Sequence, residues 1–190
     1  MNNENPNVFP QNEIEKLPNS FYSHAEAIYH LSEVGIEVKQ TRVADWLGVS
    51  RANVSQVIGR MQNSGLIELS DDLMLTEKGS YLAKMISRRR RIIERFLSEI
   101  LDLPWDQVYK ETKKWENVLS PVTEDAMLKI LGNPTTGIFG NPIPYSGYFE
   151  GPMKRLLDVK VNKKYNIVKI SEELKKDSSV ISFLQKNKIL

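Results

Sequence analysis

The stretch Thr41 to Gly65, TRVADWLGVSRANVSQVIGRMQNSG, decides the fold. Val43, Ala44 and Leu47 recur at helical spacing behind Thr41, a good N-cap residue, and Gly48 stops the run, which predicts a short helix over about 42 to 47. Ser50 is placed to cap a second helix, with an apolar stripe of Val54, Val57, Ile58 and Met61 and a terminator at Gly65. Two helices separated by Gly-Val-Ser make a helix-turn-helix.

Working outward, Ala27, Ile28, Leu31 and Val34 give a preceding helix over about 23 to 34, ended by Gly35. After Gly65, LIELS and LMLT are strand-like runs that turn at Asp71 and Asp72. They predict a hairpin wing, and its acidic tip would repel phosphate, so it is expected to pack rather than to bind. A long helix starts at Thr76 and reaches about Asp102, where Pro104 breaks it. Trp105 to Leu119 predicts a further amphipathic helix, and Ser120-Pro121 opens another that runs to Leu131. Gly132 to Gly147 reads as a linker. Beyond it, DVKVNKKYNIVKI alternates like a strand and SSVISFLQKN like a short helix. The fold class is mainly α.

The chain has no cysteine, which excludes disulfides, thiolate metal ligands and thiol nucleophiles, and a cytoplasmic setting follows. The polar N-terminus has neither an apolar signal core nor a basic leader, and no apolar run is long enough to span a bilayer, so no membrane partner is expected. The formal net charge of +2 hides an uneven division. Residues 151 to 190 hold ten Lys/Arg against four Asp/Glu, and residues 1 to 150 hold sixteen against twenty. Binding to nucleic acid must therefore rest on a local patch, and Lys39, Arg42, Arg51 and Arg60 against Asp45 supply one.

In a helix-turn-helix, the second helix enters the major groove with its first residues against base edges and phosphates. Here those are Ser50, Arg51, Asn53, Ser55 and Gln56. Gln and Asn can bond adenine in a bidentate way, Ser and Arg suit phosphates, and Ala52 leaves room for a thymine methyl. Lys39, Thr41 and Arg42 would meet the DNA backbone. No Gly-rich phosphate loop and no histidine with an acid and nucleophile partner is present, so an enzyme is not expected.

The strings SQVIGRMQNSGLI, RRIIERFL, KKWENVLS and FGNPIP resemble, in order and spacing, the diphtheria-toxin-repressor family of iron- or manganese-dependent regulators, over about residues 20 to 190. The polar N-terminus reads as a flexible arm (1–20), and the Gly- and Pro-rich stretch as a linker (132–148); the resemblance implies a winged-helix DNA-binding domain (21–76), a helical dimerisation and metal-sensing domain (77–131) and a truncated SH3-like α+β segment (149–190). It implies a homodimer on a palindromic double-stranded DNA operator, acting as a repressor.

The positions that the resemblance assigns to metal depart from the family's donors. One set is Arg90, Glu94, Tyr109, Glu172 and Lys175; the other is Ser23, Lys113, Glu116 and Asn117. Only the glutamates remain, and Lys or Arg cannot ligate a metal. No cofactor is therefore expected, and metal dependence is expected to be lost or reduced. Arg90 with Glu94 and Lys113 with Glu116 stand at helical pair spacing. They either replace the charge of the metal or are ordinary surface pairs. Arg91 and Asn141 match anion-holding positions, although Gly137 stands where the family has serine. Two alternatives stay open: an Fe2+- or Mn2+-dependent repressor with an atypical site built from Glu94, Glu116 and Glu172, and a protein-interaction module built on the winged helix.

Overall fold

The computed structural model describes residues 17–35, 37–69, 72–116 and 118–187. The chain divides into two compact units, residues 1–87 and 88–190. Most of the expected N-terminal arm and Asp71 of the hairpin lie outside the described residues.

The first unit is built around α1 (Asn19–Glu33), α2 (Gln40–Leu47) and α3 (Arg51–Asn63). Each turns its apolar stripe inward. Phe21, Ile28 and Leu31 of α1, Val43 and Ala44 of α2, and Val54, Val57, Ile58 and Met61 of α3 share one core. Between α2 and α3 the chain reverses at Gly48, whose φ of +66° lies in the left-handed region that a Cβ disfavours. There Gly48 and Val49 donate backbone bonds to Asp45 O and Ala44 O, closing α2. Ser50 then caps α3, its Oγ accepting the Asn53 N–H at 3.2 Å. The cap expected at Thr41 is displaced: α2 begins at Gln40, and Lys39 occupies the N-cap without a side-chain bond. Strands β1 (Ile67–Leu69) and β2 (Leu73–Leu75) pair antiparallel, with Ile67 opposite Leu75 and Leu69 opposite Leu73. Ile67 and Leu73 are buried, and the Leu73 N–H bonds Val38 O, so the hairpin packs onto the helical core.

Helix α4 (Glu77–Arg95) runs through the division between the units and continues into a π-helical turn, Phe96–Ile100. That turn is a local departure from the single helix expected to Asp102, and its wider winding is seen in the bond from Leu101 N–H to Phe96 O. In the second unit, Ile92, Ile93 and Leu97 meet Val108 of α5 (Trp105–Trp115), Met127 and Leu128 of α6 (Pro121–Ile130), and Ile143. Ser120 caps α6 through the Thr123 N–H, with Pro121 at the first helical position as expected. Residues 132–147 form a loop closed by one isolated bridge between Thr136 and Pro142. The last helix is α7 (Ser178–Lys186).

The molecule is mainly helical, as expected. The C-terminal stretch read as strands departs from that reading: residues 158–170 form no ladder among the described residues. Alternation makes a strand only when a partner covers one face, and here Val161, Ile167 and Val168 stay exposed. Among the described residues, no helix is long and apolar enough to cross a membrane.

Candidate functional site

The burial of α3 sorts its residues by face. Val54, Val57, Ile58 and Met61 point into the core, whereas Arg51, Ala52, Asn53, Ser55, Gln56 and Arg60 are exposed. Because the apolar stripe fixes the rotation of the helix, the polar side chains of its first two turns necessarily share the outer face. The first turn contains no acidic residue, so its free N–H groups and positive dipole end face outward without competition. Arg42, Arg51, Ser55 and Gln56 have no side-chain hydrogen bond or ion pair among the described residues. Lys39 bonds Glu37 at 2.9 Å with both groups exposed; the carboxylate raises the pKa of the ammonium. Such a surface pair is weak and readily exchanged for another anion. Thr41 is half-buried beside it. Arg60, in the last turn of α3, lies over the Phe21 ring at 5.2 Å, a contact that sequence reasoning missed because it joins two helices far apart in the chain.

The second unit holds the positions assigned to metal and anion. Arg90 does not leave Glu116 to Lys113: its Nε and Nη2 donate to Glu116 Oε2 at 3.0 and 2.9 Å. The Lys113 ammonium lies over the Tyr109 ring at 5.3 Å. Both contacts differ from the expected Lys113–Glu116 pair. Two N–H groups of one guanidinium on α4 converge on a single oxygen of Glu116, a charge-assisted contact that a lysine three residues away does not make here.

Arg91 is buried, at 1% exposure, and its Nε donates to Glu172 Oε1 at 2.7 Å. It also donates to Pro142 O. Asn141 donates from Nδ2 to Ile170 O at 3.0 Å, and the Ile170 N–H bonds Phe139 O. The two residues assigned to an anion therefore lie together, with the chain's own Glu172 carboxylate on the guanidinium. Glu94 is buried in the same unit. Ser23 lies in α1, where its hydroxyl donates to Ser20 O. Asn117 and the side chain of Lys175 lie outside the described residues.

Oxygen donors such as Glu94, Glu116 and Glu172 suit Mn2+ and related ions. As arranged, however, Arg90 and Arg91 hold two of these carboxylates, and the described residues contain no cluster of three His, Cys, Asp or Glu at metal-binding spacing. In this arrangement a metal would take those two carboxylates only once they leave their guanidinium partners.

Two family models match the chain. Residues 23–75 match "Iron dependent repressor, N-terminal DNA binding domain", and residues 76–145 match "Iron dependent repressor, metal binding and dimerisation domain". Both describe repressors, not enzymes. The chain is 40% identical over 133 residues to the iron-dependent repressor IdeR of Mycobacterium tuberculosis, covering 69% of this chain and 58% of that protein. It is 36% identical over 123 residues to the diphtheria toxin repressor of Corynebacterium diphtheriae, covering 64% and 54%. The chain thus spans a little over half the length of these curated relatives. Among solved structures, a manganese-dependent transcriptional repressor in complex with manganese superposes with a TM-score of 0.79 at 24% identity, covering 89% of this chain and 78% of that one. The IdeR of T. acidophilum gives 0.69 at 20% identity, covering 92% and 81%. These structural likenesses concern the fold.

The expectation of no cofactor is corrected by these findings. A metal-binding domain model and iron-dependent relatives support a metal cofactor. The assigned positions lack imidazole and thiolate donors. That loss changes which donors a site has, but it does not remove the carboxylate oxygens that hard divalent ions prefer.

Proposed function

Because this chain belongs to the diphtheria-toxin-repressor family of iron-dependent repressors, we propose that it is a cytoplasmic, sequence-specific transcriptional repressor. It binds a palindromic operator as a homodimer and responds to divalent iron or manganese. The observation that carries the DNA-binding reading is the split of α3 into a buried apolar stripe and an exposed, acid-free polar face.

The mechanism follows from that face. The α3 N-terminus enters the major groove, its free N–H groups and dipole favouring a phosphate at the rim. Gln56 and Asn53 offer the paired donor and acceptor that match adenine, and Ala52 is small enough to admit a thymine methyl. Ser50, Arg51 and Ser55 contact phosphate at the groove edge, and Ser50 also fixes the start of the helix through its cap. Lys39, Thr41 and Arg42 hold the backbone beside α2, with Lys39 exchanging Glu37 for a phosphate. Arg60, anchored over Phe21, supplies a more distant positive charge.

Operator binding to the DNA upstream of the protein's own gene tests this, measured with a strong chelator and then with Mn2+ or Fe2+ restored. Binding abolished by chelator and recovered with metal is expected. Binding unaffected by chelator would remove metal control and keep the DNA reading. The absence of sequence-specific binding under both conditions would refute the function itself.

A further inference from the structure

We propose that the exposed segment from Gly151 to Val168 is a second DNA contact, an arm that grips phosphates without reading sequence. The inference rests on the DNA-binding reading above and extends it to a surface outside the winged helix. Within the segment, Lys154, Arg155, Lys160, Lys163 and Lys164 are all exposed and face a single acidic residue, Asp158. Arg155 bonds Asp158 at 2.9 Å. The side chains of the four lysines make no ion pair or hydrogen bond among the described residues.

The backbone is equally uncommitted. Apart from one short 3-10 turn at Leu156–Asp158 and a bond from Lys160 N–H to the Tyr165 hydroxyl, the segment is unpaired coil. An extended chain of this length reaches up to ~60 Å, which exceeds the ~34 Å of one duplex turn. It can therefore follow a run of phosphates.

Charge distribution selects the partner. Residues 1 to 150 carry sixteen Lys/Arg against twenty Asp/Glu, so the larger part of the chain is repelled by a polyphosphate at long range. A basic coil stretch on the same chain as α3 offsets this, and once α3 is seated its own contact becomes intramolecular. Leu156, Leu157 and Val161 are exposed as well, and a protein partner would use them. The unpaired lysines, with Asp158 as the segment's only acidic residue, favour DNA, and the experiment separates the two.

The test is the salt dependence of binding, in Mn2+-containing buffer, to the upstream duplex and to a random-sequence duplex. It compares wild type with a variant carrying Lys154→Gln, Arg155→Gln, Lys160→Gln, Lys163→Gln and Lys164→Gln. Each phosphate contact contributes ~0.9 to the slope of log K against log salt, so the variant's slope should fall by ~2 or more, toward a limit of ~4.5. Affinity for both duplexes should drop about tenfold or more near 0.1 M salt while the preference for the upstream sequence persists. The thermal midpoint should not change, because the substituted side chains are exposed. A milder variant, Lys160→Gln with Lys163→Gln and Lys164→Gln, should give a proportionate part of the effect. Unchanged slope and affinity in a variant of a DNA-binding wild type would overturn the arm and leave the function standing. A wild type that binds no duplex would overturn both. Loss of polyglutamate binding with an unchanged DNA slope would also overturn the arm, since it would assign the segment to an acidic protein.

Discussion

Glu172→Ala tests the ionic contact that pins the C-terminal segment within the second unit. Arg91 is 1% exposed, and its Nε donates to Glu172 at 2.7 Å. Removing the carboxylate leaves a cation, out of water, with Pro142 O still bonded to it. Breaking a buried pair from one side costs about 3–5 kcal/mol. The segment has few other anchors near this point: Asn141 to Ile170 O, and Ile170 N–H to Phe139 O. The cost should therefore appear first as local undocking, with water returning to Arg91 before the helices unfold. Hydrogen exchange at the Ile170 amide reads this directly. At about 1.4 kcal/mol per factor of ten, its exchange should accelerate by about two to three and a half orders of magnitude, while amides of α1 and α3 keep their rates. Replacing both partners, Arg91→Met with Glu172→Leu, should recover much of the protection, because the buried pair is then exchanged for apolar side chains rather than broken from one side. An Ile170 acceleration below about tenfold in Glu172→Ala would refute the reasoning, as would a double variant no better protected than the single.

Three further outcomes are expected. A Cβ at Gly140, where φ is +76°, would lie 1.8 Å from Val168 O, so Gly140→Ala should weaken docking of the same segment by about 2 kcal/mol or more; the Ile170 amide again reports it, and wild-type protection would contradict the contact. Gln56→Ala should cost about 1–3 kcal/mol of operator discrimination and leave the salt slope of binding unchanged, as footprinting over a salt series would show; a uniform loss on all sequences would assign Gln56 to phosphate instead. Burial lowers the His24 pKa, against a smaller opposing effect of its bond to Ser20 O. The unfolded chain then binds the proton more tightly, so stability should fall as pH drops through about 6.5; urea unfolding from pH 7.5 to 5.5 should show part of that loss disappear in His24→Gln, and an identical pH slope would exclude the residue.

Much of the first unit was legible because its signals are local. Ser50, Gly48 and the stripe from Val54 to Met61 each act within a turn or two of their own position, and together they set both the boundaries of α3 and the face it exposes. The second unit was legible only as elements. Spacing along one helix suggested that Lys113 would meet Glu116, and nothing within α5 could show that a guanidinium from α4 takes that carboxylate. Arg91 and Glu172 are likewise separated by eighty residues, and a sequence without covariation carries no trace of their meeting. At the positions assigned to metal, the sequence showed that imidazole and thiolate donors are absent, and the expectation of no cofactor drawn from that was too broad. A lost donor is a property of a position. A cofactor requirement is a property of the assembled site, which no single position reveals. The extended stretch after Gly151 shows the same limit in reverse. Its alternation is real, but strand structure belongs to a pair, and among the described residues the segment has no partner to form one.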